Sequence, residues 1–481
     1  MLFNSFAFVL FFPIVTIIYF ILPHKFRWLW LLAASCFFYM FFRPVYILIL
    51  FFTIIIDYFA GILLENEKNP KRKKWWLIMS LIANIGVLAV FKYYNFINAN
   101  LTGLLSVFGA SNHIPYLDIL LPIGLSFHTF QAMSYTIEVY RGNQKAERHF
   151  GIYSLYVMFY PQLVAGPIER PQNMLHQFYE KHYFEYQRVV EGLRLMIWGL
   201  FKKVVIADRL AMFVNTVYDH PQNYHGFQTI LATIFFSFQI FCDFSGYSDI
   251  ALGSAKFMGF DLMVNFNRPY FSKSIAEFWK RWHISLSTWF RDYLYISLGG
   301  NRVSKTRAYF NQFFVFLVSG LWHGANWTYV IWGSLHGTYL IIGKVTHPFR
   351  AKAGGKLGLG NFTWLNKFVQ VSTTFVLAAF AWIFFRASSL HNAGIIIKNS
   401  FKLSKAQLGL YMLGPDLYDF VLCFMLIALM EAIHTTMHNN DINYILNKLS
   451  APVRWIVYVV FMLMIINLGV FGSNQFIYFQ F

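Results

Sequence analysis

Ser319-Gly320-Leu321-Trp322-His323-Gly324-Ala325-Asn326-Trp327 sets a histidine between two glycines, inside sequence otherwise apolar enough to lie within a bilayer. An ionisable side chain at membrane depth is costly, which makes His323 a functional-site candidate by default. Glycine admits backbone or ligand where a side chain would stand in the way. The alternative for one isolated histidine is a hydrogen bond to a neighbouring helix and no chemistry, so the reading depends on what surrounds it.

Composition fixes the solvent. Of 481 residues, 57% are hydrophobic and 21% aromatic, and only 12% are charged. A soluble domain carries roughly twice that charged fraction, so the chain reads as an integral membrane protein. A spanning helix needs about 20 mostly apolar residues. Runs near that length extend from Phe6 to Leu22, Trp28 to Phe42, Pro44 to Leu64, Trp75 to Phe91, Phe227 to Phe241, Trp327 to Gly343, Val369 to Phe385, Leu417 to Ile433 and Trp455 to Phe471. Shorter or interrupted runs surround Ile119 to Phe130, Tyr153 to Gly166, Leu193 to Ala207 and Tyr309 to Leu321. Irregular backbone at membrane depth is tolerated only where protein or a water-filled cavity encloses it. The expected architecture is an all-α polytopic membrane protein, one domain over 1–481, with about eleven transmembrane helices and further re-entrant and interfacial helices. The first run lacks a basic leader and a small-residue cleavage site, and is expected to be retained as a helix.

Orientation follows from the basic loops. Lys68, Lys71, Arg72, Lys73 and Lys74 lie between the third and fourth runs, and the positive-inside rule assigns them to the cytoplasm, with the N-terminus outside. Lys25 and Arg27 then also fall inside. The net charge of +18 is read as topology and lipid head-group attraction rather than nucleic-acid binding. Cys36, Cys242 and Cys423 have neither disulfide nor zinc spacing. A P-loop, a dinucleotide fingerprint and an HExxH motif are all lacking, which argues against a nucleotide-driven pump or a zinc protease.

The polar stretch 241–302 carries the second set of candidates. Between Glu277 and Tyr293, the residues Trp279, Trp282, His283, Leu286, Trp289, Phe290 and Tyr293 recur at helical spacing, with Lys280, Arg281, Ser287, Arg291 and Asp292 largely opposite. One amphipathic helix at the cytoplasmic interface is expected, its tryptophans serving mainly as interfacial anchors. His283 falls on the apolar side, where an imidazole needs a partner or a task. Asp57, Glu138, Asp243 and Asp249 lie in or beside apolar runs; for Asp243 and Asp249 the choice is between orienting a histidine and a structural role, which is preferred. Arg141, Arg170, Arg281 and Arg291 can grip donor phosphates in bidentate fashion or meet lipid head groups.

Together these pieces resemble the membrane-bound O-acyltransferase family, and within it the bacterial branch that contains alginate O-acetyltransferase. The matching motifs are Leu121 to Phe127, Ala165 to Ile168, Asp243 to Asp249, Glu277 to Tyr293, Ser297 to Arg302, Gly320 to Trp327 and the closing Phe476-Ile477-Tyr478-Phe479-Gln480-Phe481. The resemblance implies helices around a central funnel and tunnel, with the family's invariant histidine on His323 and a second histidine on His283 as the catalytic pair. It implies transfer of an acyl group, expected to be acetyl, from a cytosolic thioester such as acetyl-coenzyme A or an acyl-phosphopantetheine carrier to a hydroxyl. The acceptor would be an exported polysaccharide, alginate-like or peptidoglycan. D-alanyl transfer to teichoic acid and transport without catalysis are the alternatives. It further implies the bacterial cytoplasmic (inner) membrane, no bound cofactor or metal, and no nucleic acid. Its expected partners are the lipid bilayer, a periplasmic or extracellular acyl-transferring protein and a cytosolic donor protein.

Asn326, Gly324, Trp322, Trp282, Asp243 and Arg291 are the substrate-binding candidates. A hydroxyl attacks a thioester slowly, and an imidazole that takes its proton contributes roughly 100- to 10,000-fold. Burial keeps such an imidazole neutral and able to act as a base. Asn326, or a backbone N–H near Gly324, can stabilise the oxyanion or cap the broken helix.

Overall fold

The computed structural model describes residues 1–118, 122–164, 166–356, 363–402, 417–437, 441–472 and 476–477. Leu121 and Ala165 of the quoted motifs, and Tyr478 to Phe481 of the closing one, lie outside the described residues. Among the described residues the regular structure is helical, without a β-strand. Each of the nine longer apolar runs is helical over most of its length, with Leu22, Phe41, Phe42 and Gly469 to Phe471 lying past helix ends. Among the described residues, six helices are long and apolar enough to cross a membrane: Pro44–Asn66, Pro70–Val107, Phe227–Met258, Thr363–Arg386, Leu417–Thr436 and Ala451–Leu468. The expectation of about eleven spans exceeds this because several runs form shorter helices. Phe6–Ile21 has 16 residues, and Tyr153 to Gly166 divides at Phe159 and Pro161 into Phe150–Met158 and Tyr160–Leu163.

The chain divides into two compact units. The first comprises Met1–Met196 and Ile250–Met263. Asn69 caps the helix that follows it by accepting from the backbone N–H of Lys71 at 2.9 Å, so Lys71 to Lys74 lie at the start of a helix while Lys68 precedes it. The buried Asp57 accepts from the Ser80 hydroxyl at 2.6 Å and from the Asn84 amide at 2.9 and 3.0 Å. Ser80 and Asn84 are one turn apart on a single helix, so they present donors on one face to the carboxylate. Polar residues facing one another across helices satisfy groups that lipid cannot. Glu138 is likewise held by Arg141, Asn143 and Gln172.

The second unit comprises Ile197–Asp249 and Val264–Phe481. Its tightest pairing is between the helices Lys305–His323 and Trp327–Lys356, and glycine makes it possible. A Cβ on Gly320 would lie 2.3 Å from the Tyr329 carbonyl oxygen, and one on Gly333 would lie 2.3 Å from the Phe316 carbonyl oxygen and 3.1 Å from the Gly320 Cα. Backbones meet directly at this crossing, as small residues at intramembrane helix interfaces permit. A buried ion cluster lies elsewhere in the unit. Lys203 Nζ is 2.8 Å from Asp208 and 2.6 Å from Asp243, and Lys202 Nζ is 2.7 Å from Asp249. Asp243 also accepts from the Ile477 backbone N–H at 2.7 Å.

Candidate functional site

The expected continuous helix over 279–293 is interrupted. Ile275–Arg281 ends at Trp282, His283 takes a left-handed conformation with φ of 43°, and Ile284–Trp289 begins a new helix. A left-handed geometry costs an L-residue roughly 1–2 kcal/mol, so the surroundings must impose it. Asn265 and Asn267 do so with a short extended pairing on either side of His283. Asn267 N–H donates to the Arg281 carbonyl and Ile284 N–H to the Asn265 carbonyl, both at 2.9 Å. The Asn265 side-chain oxygen accepts from the Ser285 hydroxyl at 2.7 Å and from its N–H at 3.2 Å, while its amide donates to Ser248 at 3.3 Å. The break turns His283 inward and buries the aromatic stripe. Trp282 is 1% exposed and Trp289 5%, so these tryptophans are core residues and not interfacial anchors.

His323 ends its helix and is buried; Gly324 caps it in extended backbone. The described rings around its imidazole include Trp322 and Trp332 with centroids at 4.9 Å, Phe385 at 5.3 Å and His283 at 6.5 Å. His283 in turn packs edge-on against Phe244 at 4.6 Å and faces Trp322 at 6.2 Å. Burial pushes the His283 imidazole down to about 3, so it is neutral at physiological pH. Behind these rings Trp382 stands 5.0 Å from Trp282 and 5.8 Å from Trp332, closing an aromatic wall.

Of the sequence-derived candidates, His283, His323 and Trp322 come into ring contact, and Trp282 belongs to the wall behind them. The remaining candidates do not join this ring cluster. A Cβ on Gly324 would lie 2.1 Å from the Tyr329 ring, so this glycine makes room for Tyr329. Asn326 has capping geometry: its side-chain oxygen accepts from the Thr328 N–H at 3.0 Å and its amide donates to the Ser388 carbonyl at 3.3 Å. Asp243 belongs to the ion cluster, one residue before the Phe244 that packs on His283. Arg291 is exposed and pairs with Asp292 at 2.7 Å. Sequence reading missed Phe244, Trp332, His336, Trp382 and Phe385. His336 had a signal, since it lies in the apolar run Trp327 to Gly343 and the burial argument that selected His323 applies to it equally. Among the described residues no group of three His, Cys, Asp or Glu side chains could hold a metal ion.

Comparison with known proteins bears on what this site does. The model of the MBOAT, membrane-bound O-acyltransferase family, matches residues 148–377, a range that contains both histidines. A peptidoglycan O-acetyltransferase of Helicobacter pylori is 37% identical over 440 residues, covering 85% of this chain and 81% of the relative. The chain belongs to the membrane-bound O-acyltransferase family. A probable alginate O-acetylase of Pseudomonas aeruginosa is 38% identical over 410 residues, covering 85% of this chain and 76% of the relative. A teichoic acid D-alanyltransferase of Streptococcus thermophilus is 31% identical over 257 residues, or 49% of this chain and 61% of the relative. As a member of the membrane-bound O-acyltransferase family, the protein is a multi-pass membrane O-acyltransferase.

Proposed function

We propose that the protein O-acetylates an exported cell-envelope polysaccharide, alginate-like or peptidoglycan, taking the acetyl group from a cytosolic thioester, with His323 as general base. The observation that carries this reading is the pairing of two buried histidines 6.5 Å apart within one aromatic enclosure. The acceptor hydroxyl oxygen attacks the thioester carbonyl carbon as His323 takes its proton. The carbon–sulfur bond then breaks, and the thiolate recovers that proton from the imidazolium, leaving an ester and a thiol. A neutral imidazole is required at the start, and an apolar enclosure favours it because burial disfavours the charged form. His283 orients the thioester beside His323. Acetyl is favoured over D-alanyl because the acetylating relatives align over 85% of the chain and the D-alanyl relative over 49%.

The donor, acetyl-coenzyme A or an acyl-phosphopantetheine carrier, is a substrate, and no resident cofactor is needed. A bacterial inner membrane is the location that fits this direction of transfer. It would work with a donor protein on the cytosolic side and an acyl-transferring protein on the outer side, the two substrates meeting in a funnel and tunnel through the fold. The test is acetyl transfer by purified protein supplied with donor and a polysaccharide acceptor. His323→Ala is expected to abolish transfer while the protein stays folded in detergent. Near-normal transfer by that variant would remove His323 from the role of base.

A further inference from the structure

Another buried histidine stands one ring beyond His323. His336, on the helix Trp327–Lys356, is 0% exposed, and its Nδ1 lies 3.2 Å from the Trp279 indole Nε1. An indole N–H can only donate, so Nδ1 is the acceptor; the imidazole is therefore neutral and carries its hydrogen on Nε2. That Nε2–H is buried and makes no hydrogen bond with any described residue. Trp332, one turn earlier on the same helix, lies between the two histidines, with ring centroids 4.9 Å from His323 and 5.1 Å from His336. Its indole Nε1–H is likewise buried and unmatched among the described residues.

Leaving one buried donor unmatched costs about 1–3 kcal/mol. Two such donors on adjacent turns of one helix, beside the proposed base, require an explanation. The pair offers two N–H donors and no spare acceptor, because Trp279 occupies His336 Nδ1. This complements a carbonyl oxygen, which only accepts. It does not suit a sugar hydroxyl, which must also donate. The aromatic surroundings, with Phe278 stacked on His336 at 6.2 Å and Phe316 tilted against it at 6.4 Å, suit an uncharged, slender chain.

We propose that Trp332 and His336 form a carbonyl-binding subsite for the acyl donor. In it, Trp332 Nε1–H takes the thioester carbonyl next to His323, and His336 Nε2–H takes an amide carbonyl further along the pantetheine arm. The assignment rests on the thioester donor of the proposed function. Trp332 and His336 are thus substrate-contacting residues, one reading the acyl group and the other the arm that carries it.

The test is equilibrium binding of acetyl-coenzyme A and of free coenzyme A to the full chain in nanodiscs, in a His323→Ala background that prevents turnover. His336→Asn keeps an acceptor for Trp279 and removes the Nε2 donor; it should weaken both ligands about tenfold. His336→Gln, whose amide reaches the Nε2 position, should restore them. Trp332→Phe should abolish the preference for acetyl-coenzyme A over coenzyme A, a selectivity that a purely structural role would leave unchanged. Unaltered affinities in both His336→Asn and Trp332→Phe would overturn the subsite alone. If the parent binds neither ligand, acetyl-coenzyme A falls as the donor, and the subsite with it. Should His336→Asn fail to fold, Trp332→Phe decides by the same selectivity.

Discussion

Replacing Gly320 by alanine tests whether the glycine crossing sets the geometry of the site. The added Cβ would lie 2.3 Å from the Tyr329 carbonyl oxygen, more than 1 Å short of ordinary contact at 3.4 Å, and 3.3 Å from the Gly333 Cα. Both obstacles are backbone, so a rotamer change cannot relieve them and the two helices must part. Overpacking of this kind costs about 1–3 kcal/mol. His323 lies three residues beyond Gly320 on one helix, while Tyr329 and Trp332 lie on the other, so separation of the helices acts directly on the 4.9 Å contact between His323 and Trp332. A misplacement of about 1 Å can cost on the order of 100-fold in rate. Gly320→Ala should therefore lower kcat/KM for acetyl transfer by about 10- to 100-fold and reduce thermal stability in detergent. Gly343→Ala, on the same helix pair with nothing within 4 Å of its Cβ position, should leave both at the parental level or slightly raise stability. Transfer assays and melting curves on the two variants check this. Parental activity and melting temperature in Gly320→Ala would refute the claim that close backbone approach positions His323.

Four further outcomes are expected. His283→Gly relieves the left-handed backbone at φ 43° but removes the imidazole, so transfer should fall strongly while the melting temperature holds; a parallel fall of both would make His283 a structural residue. Because burial lowers the His283 pKa to about 3, the unfolded chain binds the extra proton between pH 6.5 and that value. Its contribution to stability is therefore complete above pH 6.5 and is lost on acidification, by up to about 1.4 kcal/mol per pH unit; His283→Gly should show a shallower loss over that window in melting curves from pH 7 to 5. Lys203→Met leaves Asp208 and Asp243 buried without their shared ammonium and should destabilise by about 3–5 kcal/mol, with Lys203→Arg recovering part of this in denaturation measurements. A cysteine at exposed Lys68, chosen because neighbouring Asn69 caps a helix, should resist a membrane-impermeant thiol reagent in intact cells; labelling there would reverse the assigned orientation and with it the direction of transfer.

The helical membrane class was legible in the chain itself, because sustained apolar runs are a one-dimensional property that a bilayer reads directly. His323 and His283 were legible as candidates for the same reason, each being an imidazole placed where apolar sequence makes it expensive. Side-chain partners are long-range and were not legible. The stripe from Trp279 to Tyr293 has the period of one helix, yet Asn265 and Asn267 pair across Arg281 to Ile284 and break it at His283. Local periodicity carries no information about such a pairing. Gly320 and Gly324 read as room for a ligand, and the space they leave is taken by the Tyr329 backbone and ring. Asp243 read as a candidate in the site and is bound to Lys203, 40 positions away. Trp332, His336, Trp382 and Phe385 lay unremarked in apolar runs until the helices crossed. Hydrophobicity is a property of each segment and so determines which segments enter the membrane, whereas the directions in which their side chains converge depend on how the segments pack, which only the tertiary structure decides.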